Sequence, residues 1–175
     1  MRNVLLVMLV SWVVVLSPAW AQSLKEAGKS GDWTIFTSDG DPKLCGIVTV
    51  AEKMSHKRNG REVNVERETG QLFLTYKADM PGAVQLGYWA GFPLASNSDI
   101  TASIDGQSYE MNASSETHPE WAWPNAEHDA NVERSMKRGN LLVLRSTSRR
   151  GTVVEDTFSL RGVTNGLKAA TSECS

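Results

Sequence analysis

Two cysteines and three histidines carry the most reactive side chains in this chain, and their spacing limits what they can do. Cys45 and Cys174 stand 129 positions apart, with no CxxC and no histidine beside either. That spacing suits neither a redox pair nor a zinc-ligating pair. An even count in an exported chain points instead to one disulfide, Cys45–Cys174, tying the start of the domain to its end. His56, His118 and His128 lie on different segments without metal-ligand spacing, so no metal and no cofactor is expected. His118-Pro119-Glu120 matches half of a zinc-deaminase signature, whose Pro-Cys-x-x-Cys half this chain cannot supply. HExxH, a Walker loop, GxGxxG and GxSxG are all missing from the sequence. The reading is of a protein that is not an enzyme. The minority alternative is a hydrolase whose site assembles only in space.

Three further groups of residues suit binding or folding. Arg134, Lys137 and Arg138 fall at i, i+3 and i+4 of a helical segment and project together. Arg149 and Arg150 crown the hairpin that follows, and the five cations read as one patch for anionic glycans or lipid headgroups. A solvated face, neutralised by Glu127, Asp129 or Glu133, is the bland alternative. Lys53, His56, Lys57, Arg58 and Arg61 read as a second basic tip of that solvated kind. Trp121 and Trp123 share one side if extended, and with Tyr88, Trp89 and Phe92 would make a platform for a sugar or peptide. Core or lid packing is the reading we favour for these aromatics. Asp156 has the strand parity of Val154, Phe158 and Leu160, which points it inward. A buried carboxylate needs a partner, and Arg145 on the preceding strand is the expected one, in a structural role.

Short alternating runs supply the elements that would position these residues. Trp33 to Thr37, Cys45 to Val50, Glu62 to Glu66, Leu72 to Tyr76, Val84 to Tyr88, Ile100 to Ile104, Ser108 to Met111, Leu141 to Arg145 and Val153 to Leu160 all read as strands. Asn59-Gly60, Thr69-Gly70, Pro81-Gly82 and Asp105-Gly106 punctuate them as turns. About nine short strands with regular turns predict an antiparallel β-sandwich. Two helices are expected. One is capped by Asn125 and stopped by Gly139. The other spans about Val163 to Cys174, with Val163, Leu167, Ala170 and Cys174 on one inward face. Gly166 costs that second helix roughly 1 kcal/mol of propensity.

The N-terminus supplies the compartment. Arg2 precedes an apolar run from Val4 to Leu16, then Pro18 and Ala19-Trp20-Ala21, the order of a secretory signal cleaved after residue 21. The run falls short of the roughly 20 residues a spanning helix needs. Its removal leaves residues 22–175 as a single domain and moves the net charge from −2 to −3. That balance argues against a nucleic-acid partner, and no later segment is apolar enough to span a bilayer.

Several motifs occur in an order that resembles the invasion-associated locus B (IalB) family of bacterial envelope proteins. Gly31-Asp32-Trp33 opens the first strand, and Cys45 follows. Gly91-Phe92-Pro93-Leu94 and Trp121-Ala122-Trp123-Pro124 come next. Met136-Lys137-Arg138-Gly139, Ser148 to Thr152 and Asp156 to Gly162 lead to a terminal helix ending in Cys174. The resemblance covers nearly the whole mature chain. It implies an immunoglobulin-like sandwich and, in some pathogens, a role in entering or colonising host cells without an assigned enzymatic activity. The expected function is a periplasmic or secreted binding module for a protein, glycan or envelope component. A structural or stress-protective envelope factor without a specific ligand is the alternative.

Overall fold

Most of the antiparallel strands form where apolar and polar residues alternate, because alternation puts one face of each strand in the core. The computed structural model describes residues 24–40, 43–76, 82–96, 99–114 and 117–174; the segment read as a leader, residues 1–21, lies outside them. Its strands are β1 (Leu24–Ser30), β2 (Trp33–Ser38), β3 (Cys45–Val50), β4 (Lys53–Arg58), β5 (Arg61–Glu62), β6 (Gln71–Tyr76) and β7 (Val84–Trp89). They continue as β8 (Ile100–Ile104), β9 (Gln107–Ala113), β10 (Trp121–Pro124), β11 (Leu141–Thr147) and β12 (Val153–Ser159). Helix α1 (Asp129–Arg138) lies between β10 and β11, and α2 (Val163–Cys174) closes the chain. No helix among the described residues is long and apolar enough to cross a membrane.

Every strand pairing is antiparallel, in one ladder of order β1-β2-β3-β6-β7-β10-β9-β8-β11-β12-β4-β5. The ladder folds over so that its two halves enclose a single core. Tyr88 on β7 meets Phe158 on β12 edge to face at 6.3 Å, and Trp33 Nε1 on β2 donates to the Ser159 carbonyl at 3.1 Å. The expected β-sandwich is therefore built from one continuous ladder. Three of its strands lie outside the runs read from alternation: β10, where Trp121 and Trp123 are indeed extended, and β1 and β4. β1 is largely exposed and carries no apolar alternation, so its pairing with β2 holds it. β4, expected as a solvated basic tip, is a ladder strand paired with β12. The predicted run from Glu62 to Glu66 yields only the two residues of β5. Beyond Val63, whose amide donates to the His56 carbonyl at 3.0 Å, residues 64–70 leave the ladder.

A clasp joins the first turn to the last strand. Asp32 accepts from Arg161 Nε at 3.0 Å, from Arg161 Nη2, and from Ser159 Oγ at 2.7 Å. These bonds, Arg161's foremost, hold the Asp32 carboxyl below its usual range. Gly31 and Gly162 adopt φ of +58° and +106°, and a Cβ on either would strike the other segment's backbone. Gly31-Asp32-Trp33 and Arg161-Gly162 are thus two halves of one contact.

The helices fill the space beside the core. Asn125 starts a 3₁₀ turn, Ala126–His128, through its backbone carbonyl rather than by a side-chain cap, and α1 begins only at Asp129. Gly139 ends α1 as expected, and Val132 and Met136 face inward. In α2, Val163, Leu167 and Ala170 are buried as predicted, whereas Cys174 sits on the exposed last turn. Gly166 is buried as well, since a Cβ there would lie 3.2 Å from the Ile47 side chain. Its propensity cost is exchanged for close approach of helix and strand.

Cys45 and Cys174 form the expected disulfide, with Cα atoms 5.8 Å apart. Cys45 is fully buried, so the bond fixes the exposed end of α2 to the core. A closed loop of this length limits the unfolded chain by about 5 kcal/mol in the chain-entropy model. Reduction, or Cys174→Ser, should lower the melting temperature by roughly 10–20 °C. Oxidised and reduced protein melting together would refute that expectation.

Candidate functional site

Asp156 anchors the most unusual polar cluster in the core. Its side chain is 0% exposed, and the guanidinium that neutralises it belongs to Arg67, 5% exposed. Arg67 Nη2 donates to Asp156 Oδ1, and Tyr88 Oη donates to Oδ2 at 2.8 Å. The remaining Arg67 donors reach His56 Nε2 (2.9 Å) and the carbonyls of Glu68 (3.0 Å) and Ala90 (2.9 Å). Gly70 makes room for this, because a Cβ there would collide with the Asp156 carboxylate. The inward parity expected of Asp156 is correct, and the partner expected for it is not. Arg145 lies opposite Glu155 in the β11–β12 register and pairs with it at 2.6 Å on the outer side. Neither Arg67 nor Tyr88 was foreseen in this role. Arg67 continues the parity of Val63 and Val65, which is the one sequence signal that could have found it.

Burial pushes the Asp156 carboxyl above its usual range, against the opposing pull of Arg67 and the Tyr88 hydroxyl. The Tyr88 phenol is pushed well above its ordinary value by burial and by the adjacent carboxylate. His56 is held low by burial and by the neighbouring Arg67 charge. An imidazole that accepts at Nε2 carries its proton on Nδ1, an assignment that follows from the hydrogen-bond network.

Beside this cluster opens a pocket of about 330 Å³. Val65, Phe92, Pro93 and Val154 give it apolar walls, and Arg67 lies over the Phe92 ring at 5.4 Å. Arg58, Arg149 and Arg150 also line it, with Glu66 as the one carboxylate. The Ser148–Thr152 turn is tied down by Gly151 N to Ser148 O (2.8 Å) and Arg149 N to Pro93 O (3.0 Å). Arg58 Nε and Nη2 both donate to Thr152 Oγ1, at 3.1 and 2.7 Å. Among the described residues, no carboxylate forms an ion pair with Arg58, Arg149 or Arg150. The hydroxyls and the imidazole here are engaged within the protein. Ser148 Oγ accepts from Thr152 N at 3.1 Å, and His56 Nε2 is committed to Arg67.

The five cations expected as one patch divide into two groups. Arg134 and Arg138 line a shallow depression with Gln107 and Tyr109, and Lys137 is neutralised by Glu133 at 2.5 Å. Arg134 Nη1 donates to Asn131 Oδ1 at 3.2 Å. Arg149 and Arg150 lie past the other end of β11, seven extended residues or roughly 23 Å away. In exchange, Arg58 from the supposed solvated tip joins Arg149 and Arg150 at the pocket.

The aromatic platform is also rearranged. Trp89 lies opposite Trp121 in the β7–β10 register, and Trp121 stacks on Trp123 with centroids 5.3 Å apart and planes 5° apart. Phe73 meets Trp121 at 5.2 Å and Phe36 meets Phe73 at 6.2 Å. Gly87 leaves the space that Trp123 fills, since a Cβ there would approach its ring to 2.5 Å. Trp89, Trp121 and Trp123 are half-buried on the outer side of the sheet rather than in the core. Tyr88 faces the core and Phe92 faces the pocket, so neither joins the stripe.

Asp156→Ala strands a buried guanidinium and should cost about 3–5 kcal/mol of stability. The double change Asp156→Leu with Arg67→Met should recover much of that loss; if Asp156→Ala melts like the wild type, the cluster is not structural. His56 supplies a second expectation. A base with a lowered folded pKa contributes stability that is intact above its unfolded value, near 6.5, and lost as pH falls toward the folded value. Melting temperature should therefore decline below about pH 6.5. His56→Gln should flatten the decline, and an unchanged slope in that variant would assign it elsewhere.

No family model matches the sequence, and no curated protein matches it. The fold does have a solved counterpart. The crystal structure of invasion associated protein B from Bartonella henselae superposes with a TM-score of 0.57 at 17% identity, covering 86% of this chain and 97% of that one. At that identity the shared property is the fold, and it is the fold that the resemblance to the invasion-associated locus B family implied.

Proposed function

We propose that the protein is an exported, non-catalytic binding module of the bacterial envelope that holds an anionic partner at Arg58, Arg149 and Arg150. The observation that carries this reading is the convergence of three arginines without a carboxylate partner on one pocket. Like charges held together on a rigid turn raise the local potential and draw in an anion, although the whole chain is slightly acidic. The leader sequence and the disulfide support export into an oxidising space. The engagement of His56 Nε2 by Arg67 supports a binding role over hydrolysis, because that nitrogen is not free to take a proton from Ser148 or Thr152. The shared fold with an invasion-associated protein supports a role at the cell envelope.

Retention on anionic vesicles and on heparin beads, at low and high salt, tests this reading. Wild-type protein should be retained at low salt and released at high salt. Replacing Arg58, Arg149 and Arg150 together by Gln should reduce retention at least tenfold, while replacing Arg134, Lys137 and Arg138 should leave it nearly unchanged. Equal retention of the wild type and the first variant would remove the basis for the proposal.

A further inference from the structure

We infer that the pocket at Arg149 and Arg150 takes a small anionic amphiphile, a phosphate or carboxylate head joined to a short acyl chain or aromatic group. This rests on the reading above that an anion binds on this side, and it adds what that anion must be attached to. A pocket of about 330 Å³ lies at the lower end of the range for small-molecule sites. It holds roughly eleven water volumes, room for a short chain or one ring rather than a whole lipid.

The lining selects both parts of the ligand. Val65, Phe92 and Val154 offer a wall that a purely polar anion would leave unused. A neutral hydrocarbon would strip water from the arginines and return no hydrogen bonds to them. An amphiphile satisfies both surfaces at once.

Roles within the cluster are divided by which donors are already engaged. Arg67 is committed to Asp156, His56 and two backbone carbonyls, so it stiffens the wall and fixes the Phe92 ring. Arg58 spends Nε and Nη2 on Thr152, which holds its side chain against the turn in the pocket lining. Arg149 and Arg150 keep their guanidinium forks for the head group, the geometry that matches phosphate or carboxylate oxygens. Glu66 stands in the same lining, and its charge favours a compact head over an extended polyanion.

Calorimetric titration with octyl phosphate, ethyl phosphate and octyl glucoside separates head from tail. Octyl phosphate should bind at least tenfold more tightly than either of the others. Arg149→Gln with Arg150→Gln should weaken octyl phosphate at least tenfold. Val65→Ser should reduce its advantage over ethyl phosphate while the melting temperature stays near that of the wild type. Vesicles of phosphatidylglycerol, with phosphatidylcholine as the control, distinguish the source. Competition between these vesicles and octyl phosphate assigns the head to a membrane lipid, and octyl phosphate binding without competition assigns it to a soluble amphiphile. Octyl phosphate binding no more tightly than ethyl phosphate or octyl glucoside overturns the inference. If anionic surfaces still retain the protein through the three arginines in that case, the broader reading stands; if they do not, both fall.

Discussion

A carboxylate removed from water must meet its counter-charge inside the protein, and the arrangement around Asp156 follows from that constraint. Asp156 sits on β12, Tyr88 on β7, His56 on β4, and Arg67 on the segment that leaves the ladder after β5. Satisfying one carboxylate therefore fixes both halves of the folded ladder relative to each other. It also accounts for Gly70, whose missing Cβ admits the carboxylate, and for the position of Phe92, held under the guanidinium. The pocket wall is the outer side of this same construction.

Two further ties act at the edges of the sandwich. The Asp32–Arg161 clasp joins the turn before β2 to the residues after β12, and the disulfide joins β3 to the end of α2. Each links residues more than 120 positions apart, so together they restrain the ends of the domain. Within such a frame the Ser148–Thr152 turn can hold Arg149 and Arg150 near Arg58 without a neutralising carboxylate. On a mobile loop, the same charges would swing apart into water.

The likeness to an invasion-associated protein extends to the fold, and a fold hosts many functions. The candidate chemistry of this molecule is local: an arginine-rimmed apolar pocket on one side and an aromatic stripe on the outer sheet face. The stripe owes its form to two bare positions. Gly46 admits Phe36, Gly87 admits Trp123, and the rings then cover one another. Half-buried aromatics of this kind lower the exposed apolar area while keeping ring faces at the surface.

The sequence by itself determined what local geometry controls. Alternation set most strands and the inward face of Asp156, while Asn59-Gly60 and Asp105-Gly106 set the β4–β5 and β8–β9 hairpins; Pro81 lies outside the described residues, and Thr69-Gly70 turns no hairpin. The 3.6-residue period placed Val163, Leu167 and Ala170 inward, and the even cysteine count gave the disulfide. Only the tertiary structure decided which distant residues meet. Arg67 lies 89 positions from Asp156 and reaches it because the ladder folds over, whereas the nearer Arg145 falls beside Glu155 by register and faces outward. Arg58 joins Arg149 and Arg150 because β4 pairs with β12, a pairing that its polar sequence does not announce. Arg134, Lys137 and Arg138 stay apart from them because β11, fully extended, carries the chain away from α1. Periodicity specifies which face a residue occupies, and the path of the chain through space specifies what stands opposite that face.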